Sequence, residues 1–245
     1  MIENRPSLRR YLIRWLIRIL VKTILRPWVP VRLQRSLLDV VALITGPPRH
    51  PKPEAVKLGS VPGRRYLVRD RPADTAVLYL HGGGYVAGSS KSHRNISARL
   101  GLLLGADVYA IDYRLAPEHP YPTAVDDVVE AYVALRDPKR GYRRIVVVGD
   151  SAGGALAVIL PLRVRDEGEL PVPDAVVAFS PFVDHTEEAP DDAYDDMLDP
   201  RWGELVASWY LRDAPKDHPY ISPVFADLHG LPPTLIQVGG DELLA

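Results

Sequence analysis

Apolar residues fall in two rhythms along this chain. Short runs at Tyr66 to Arg69, Thr75 to Leu80, Asp107 to Tyr113, Arg144 to Val148, Ala175 to Phe179 and Thr234 to Val238 are dominated by aliphatic and aromatic residues, and Gly, Pro or charged residues bound them. Apolar runs of that length predict strands buried on both faces of a parallel sheet. Between them, Ser92 to Leu104, Pro122 to Leu135, Ala152 to Arg165 and Trp202 to Leu211 carry helical spacing. Strand and helix alternate in sequence, so the pattern predicts an α/β architecture, a mostly parallel central sheet with helices on both faces. No internal repeat is evident.

The first 45 residues follow another pattern. They hold nine Lys or Arg against two acids, Glu3 and Asp39. Arg10, Arg14, Arg18, Lys22 and Arg26 recur every four residues among Leu12, Ile13, Leu16, Ile17, Ile19 and Leu20. A four-residue step on a helix turns about 40° beyond a full turn, so the basic residues wind as a slow stripe over an otherwise apolar surface. The segment is too charged for a transmembrane helix, which needs about 20 mostly apolar residues. It also lacks the apolar core and small-residue cleavage site of a signal peptide. Two readings remain. The segment folds over the functional site, its Arg and Lys stems covering apolar surface, or it lies on an anionic bilayer as an amphipathic helix. A Pro-rich break at Gly46 to Pro53 follows, dividing the chain into a basic helical segment, 1–50, and an α/β core, 51–245. The expected location is cytoplasmic, with membrane contact through residues 1–45 as the second reading.

The formal net charge of −1 argues against nucleic acid as a partner, because phosphate affinity needs accumulated Lys and Arg. With no cysteine, disulfides, thiolate metal sites and cysteine nucleophiles are excluded. The acidic run from Asp184 to Asp199 lacks the spacing of a calcium loop and reads as a solvated loop, so no metal site is expected.

Two motifs carry chemistry. Gly149-Asp150-Ser151-Ala152-Gly153 matches the nucleophile elbow G-x-S-x-G, and it lies where a strand run meets a helical run. The free N–H groups and positive end of that helix would face an anionic intermediate. His81-Gly82-Gly83-Gly84-Tyr85 directly follows the run Thr75 to Leu80. Acyl transfer places negative charge on a former carbonyl oxygen, and backbone donors must already point there. Gly83, Gly84 and Ala152 are the candidate donors, Ser151 the candidate nucleophile, and His81 a residue that orients the loop by a hydrogen bond. A phosphate cradle is the competing reading of the glycines, but neither G-x-G-x-x-G nor G-K-[ST] is present.

Together with the run Tyr113-Arg114-Leu115-Ala116-Pro117-Glu118-His119-Pro120-Tyr121-Pro122, these motifs closely resemble the hormone-sensitive-lipase-like, bacterial family IV, esterases. From the residues alone Arg114 to Pro122 is structural, with His119 a hydrogen-bonded scaffold residue. The resemblance implies an α/β-hydrolase sheet under an N-terminal helical cap, and hydrolysis of short- to medium-chain acyl esters without a cofactor. A triad carboxylate is due after the strand Thr234 to Val238, to hold a histidine in its useful tautomer. One branch of the family implies Glu242 there, with Asp241 the alternative.

The triad order in this fold is serine, acid, histidine. All seven histidines, His50, His81, His93, His119, His185, His218 and His229, precede Glu242. The resemblance therefore implies a fragment whose last strand, last helix and catalytic histidine lie beyond Ala245, leaving the strand Thr234 to Val238 as an uncovered edge and the chain as given nearly inactive. The alternative is a non-catalytic homologue that holds a small apolar ligand in the same pocket.

Overall fold

The computed structural model describes residues 15, 19–44, 51–67, 74–187 and 198–239. Among these residues seven strands form one sheet: β1 (Pro53–Leu58), β2 (Val61–Tyr66), β3 (Thr75–Leu80), β4 (Asp107–Ile111), β5 (Arg144–Asp150), β6 (Ala175–Phe179) and β7 (Thr234–Gln237), in the order β1-β2-β4-β3-β5-β6-β7. β1 and β2 form an antiparallel hairpin, and β2 pairs antiparallel with β4. From β4 to β7 every pairing is parallel.

The apolar runs of β3, β4 and β5 are buried on both faces because side chains alternate across a strand. The run Thr234 to Val238, expected to be buried in the same way, instead exposes all four residues of β7, Leu235 and Ile236 among them. Ala76, Leu78 and Leu80 of β3 belong to one core cluster, while Val77 and Tyr79 belong to the other. The first cluster is covered by helices α3 (Thr123–Leu135) and α4 (Ala152–Glu167). The second takes Ala98 from α2 (Arg94–Leu104) together with Tyr66 and Val108. α4 is buried along nearly its whole length, from Ala152 to Leu162 and again at Val164, as expected of a helix apolar all round.

The expected architecture is present, with two differences of register. The run Tyr66 to Arg69 is not a strand beginning at Tyr66; Tyr66 ends β2, and residues 68–70 lie outside the described residues. The hairpin partner β1 was hidden within and beyond the Pro-rich break, where Pro53, Glu54 and Lys57 mask a half-buried edge strand.

In the N-terminal region, residues 19–24 are helical and α1 spans Val31–Ile44. Ile24 and Leu25 enter the first core cluster, with Val21, Val31, Leu37, Leu38 and Val41 packed against it. Helix α5 (Pro200–Leu211) starts from Asp199, whose side chain accepts the Arg201 N–H. Asp199 is buried and ion-paired to Arg26 and Arg201. This end of the acidic run is therefore a cap and not a solvated loop; residues 188–197 lie outside the described residues.

β4 lies on one side of β3 and β5 on the other. In open α/β sheets the crevice at the carboxyl ends of strands where the winding reverses is where ligands bind. Both chemical motifs leave the sheet there.

Candidate active site

Ser151 is the single residue between β5 and α4. Its backbone adopts φ 52°, ψ −120°, a conformation that costs a non-glycine residue on the order of 1–3 kcal/mol. The Ser151 N–H donates to the Phe179 carbonyl at 2.8 Å, and the Ser151 carbonyl accepts from Ala155 at 3.0 Å and Phe182 at 3.2 Å. No side chain caps α4 at this end, so its first N–H groups stay available to an anion.

The glycine loop is pressed against this turn. Gly82 N–H donates to Asp150 Oδ1 at 3.1 Å, and a Cβ on Gly82 would collide with the same carboxylate. A Cβ on Gly153 would collide with the carbonyl oxygens of Leu80 and His81. Only glycine permits both approaches. Gly83 and Gly84 then take positive φ, 122° and 62°, and the Gly83 carbonyl accepts from Val86 at 3.1 Å and Ala87 at 2.9 Å. Among the described residues, the N–H groups of Gly83, Gly84 and Ala152 have no partner.

Beneath the loop lies a network that motif reading missed. Asp150 accepts from the Tyr79 hydroxyl at 2.6 Å and pairs with His93 Nε2 at 3.3 Å. Burial alone would lower the His93 imidazole, but the Asp150 carboxylate outweighs it and holds its pKa above the ordinary value. Burial alone would raise Asp150, and His93 with Tyr79 brings it below the ordinary value instead. The His81 ring stacks on Tyr113 at 4.3 Å and on His93 at 5.6 Å. Its Nδ1–H donates to the Gly82 carbonyl at 2.9 Å, the orienting bond expected of it, and the Tyr113 hydroxyl donates to the His81 carbonyl at 2.6 Å. Burial, reinforced by His93, pushes His81 down to about 4, so the ring is neutral at pH 7.

Helices α1 and α5 wall the loop. A Cβ on Gly84 would lie 2.9 Å from Val206 and 3.2 Å from Trp202. Tyr85, at φ 60°, stacks on Tyr210 at 3.8 Å. His185 is buried among Phe182, Tyr85 and Tyr210, and both its ring nitrogens lack a partner among the described residues. The segment Arg114 to Pro122 braces the loop through Ala116 N–H, which donates to the Tyr85 carbonyl at 2.9 Å. His119 itself is exposed and makes no side-chain hydrogen bond among the described residues; the scaffold role belongs to its neighbours.

None of the six described histidines hydrogen-bonds Ser151, and its hydroxyl has no partner among the described residues. Asp241 and Glu242 lie outside the described residues. They follow β7, whose Gln237 is in register with Phe179 of β6 and, through it, with Asp150. Among the described residues no cluster of His, Asp and Glu could hold a metal ion, and no helix is long and apolar enough to cross a membrane.

Residues 77–245 match the model of a family described as alpha/beta hydrolase fold. An acetyl-hydrolase of Streptomyces hygroscopicus is 43% identical over 175 residues, covering 69% of this chain and 57% of the relative. An esterase of Acinetobacter venetianus is 35% identical over 195 residues, covering 77% and 63%. The chain thus spans about three-fifths of these relatives' length. Among solved structures, a hormone-sensitive lipase from a metagenome library superposes with a TM-score of 0.87 at 34% identity, covering 96% of this chain and 79% of that one. An esterase of the bacterial hormone-sensitive lipase family gives 0.83 at 34%, covering 94% and 79%. A sheet that carries the glycine loop on β3 and the strained serine after β5, with such relatives, assigns the chain: it belongs to the hormone-sensitive-lipase-like family of the alpha/beta hydrolase fold.

Proposed function

We propose that this protein is a carboxylic ester hydrolase acting on short- to medium-chain acyl esters through an acyl-enzyme on Ser151. The observation that carries the reading is the strained Ser151 turn packed against the glycine loop, with the N–H groups of Gly83, Gly84 and Ala152 unpartnered among the described residues. Ser151 Oγ attacks the ester carbonyl as its proton passes to the general base, and the three N–H groups receive the oxyanion, where removal of one donor typically costs about 10²- to 10³-fold in turnover. Collapse of the oxyanion breaks the C–O bond to the alcohol, which leaves with that proton. Water then deacylates the serine. Glu242, or Asp241 in its place, would orient a histidine as the general base. No metal or cofactor is needed for these steps.

The test is hydrolysis of p-nitrophenyl acetate and butyrate by the full-length protein. A solved esterase of this likeness, 35% identical with a TM-score of 0.83, was soaked with p-nitrophenyl butyrate, which makes that ester a reasonable probe. Turnover abolished by Ser151→Ala supports the reading, and turnover unaffected by it sinks the assignment.

The Ser151 hydroxyl without a described partner favours a second reading, a non-catalytic homologue that binds a small apolar ligand. Ligand binding without hydrolysis in the full-length protein would select it. We also propose peripheral contact with an anionic bilayer through residues 1–45. Trp15, Ile19, Leu33 and Trp28, the last 67% exposed, offer the apolar surface, and the Arg26 guanidinium sits 5.3 Å over the Trp28 ring.

A further inference from the structure

Helix α1 reaches the glycine loop through one side chain. Arg35 Nε donates to the Val86 carbonyl at 2.8 Å and Nη2 to the Ala116 carbonyl at 2.8 Å. Nη1 and Nη2 also grip the two carboxylate oxygens of Glu118 at 3.0 and 2.7 Å, the fork geometry that only a guanidinium supplies. Val86 and Ala116 are fully buried. Neither carbonyl has another partner among the described residues, so losing the guanidinium would leave two buried acceptors unpaired.

These acceptors sit where they matter to the loop. Val86 closes the turn whose N–H groups bond the Gly83 carbonyl, and Ala116 N–H holds the Tyr85 carbonyl. Arg35 therefore completes a ring running from Val86 through Tyr85 and Ala116 back to its own guanidinium. The adjacent Gln34 fixes another wall of the loop. Its Oε1 accepts the Trp202 Nε1–H at 2.9 Å, and Trp202 packs against Gly84. The Gln34 amide also donates to the Arg26 and Val29 carbonyls at 3.1 and 2.8 Å, which fixes the chain entering α1.

We propose that Arg35 is a positioning residue for the oxyanion loop, so that the N-terminal helix sets where the Gly83 and Gly84 N–H groups point. The consequence for turnover rests on the ester-hydrolase reading; the consequence for the loop does not. Arg35 touches no reacting atom. It acts through the Val86 and Ala116 carbonyls, and a lysine, with a single ammonium, cannot serve both carbonyls and the Glu118 fork.

Two measurements test this. In hydrogen exchange read by mass spectrometry, Arg35→Met accelerates exchange at Val86, Ala87 and Ala116 about ten-fold or more, while Val146 to Val148 of β5 keep wild-type rates. Unchanged loop rates, or equal acceleration through β5, overturn the proposal. In the full-length protein, Arg35→Met lowers kcat for p-nitrophenyl acetate about ten-fold or more with KM within about two-fold, and Arg35→Lys restores only part of the loss. An unchanged kcat in Arg35→Met overturns it. Selective loop exchange in Arg35→Met beside a wild-type protein that hydrolyses no ester supports the positioning role and refutes the ester-hydrolase reading, so the two failures are told apart.

Discussion

Replacing His185 by Phe removes a buried imidazole whose two nitrogens find no hydrogen-bond partner among the described residues and which packs against the rings of Phe182, Tyr85 and Tyr210. Burial lowers its pKa from 6.5 to about 4, with Asp184 pulling upward and Lys216 downward. A histidine with a depressed folded-state value stabilises the fold fully above its unfolded value and loses that contribution as pH falls towards the folded one. The unfolded chain takes up a proton near pH 6.5, while the folded chain refuses it until about 4. Linkage then gives a wild-type loss from this residue of about 1.4 kcal/mol at pH 5.5 and about 2.5 kcal/mol at pH 4.5, relative to pH 7.5. The Phe variant carries no such penalty. At pH 7.5 it also gains about 1–3 kcal/mol by leaving no unpaired polar atoms, offset by about 1 kcal/mol or more if the larger ring strains its pocket. Urea unfolding of both proteins at pH 7.5, 5.5 and 4.5 measures the difference. The stability gap between variant and wild type should widen by about 2.5 kcal/mol from pH 7.5 to 4.5; curves that stay parallel to within about 0.5 kcal/mol would refute the reasoning.

Three further outcomes follow from the site. Asp150→Asn removes the partner of His93 and should cost about 2–4 kcal/mol between pH 4 and 6.5. Asp150, with a lowered value, contributes above 3.8 and loses that as pH falls through its folded pKa, whereas His93, with a raised value, contributes fully below 6.5 and loses that as pH rises through its folded pKa. An equal loss at pH 5.5 and pH 9 in urea melts would contradict the pairing. In the full-length protein, Glu242→Ala should lower kcat by about 10⁴-fold and Asp241→Ala by far less; the reverse ranking transfers the role of triad acid to Asp241. Sedimentation with anionic vesicles should fall when Trp28 is replaced by Ser, and binding that ignores both this change and added salt would count against the bilayer contact.

Much of the sheet was legible because β3, β4, β5 and β6 are apolar on both faces, and continuous runs such as Thr75–Leu80 and Ala175–Phe179 have few other uses in a chain of this composition. The β1–β2 hairpin was not, because its strands carry Pro53, Glu54, Lys57, Arg64 and Arg65 and are buried only in part. The elbow and the glycine loop could be read because a strained turn and a close backbone approach each demand particular small residues in a fixed local order. Residues that act across long separations leave no such signature. His93 meets Asp150 from the N-terminal end of α2, and Arg35 meets Val86 and Ala116 from another helix altogether. Asp199 read as one acid among many in a charged run, although Arg26 and the α5 N-terminus make it a buried cap. The slow basic stripe of the first 45 residues had one member, Arg26, committed to that ion pair, which spacing alone could not reveal.

The central claim is that Ser151 is the nucleophile. Brief incubation of the full-length protein with p-nitrophenyl butyrate, an acid quench and peptide mass mapping test it most directly. The account predicts a butyryl adduct on the peptide containing Ser151, absent from Ser151→Ala. An adduct on another residue, or undiminished hydrolysis by Ser151→Ala, would contradict it.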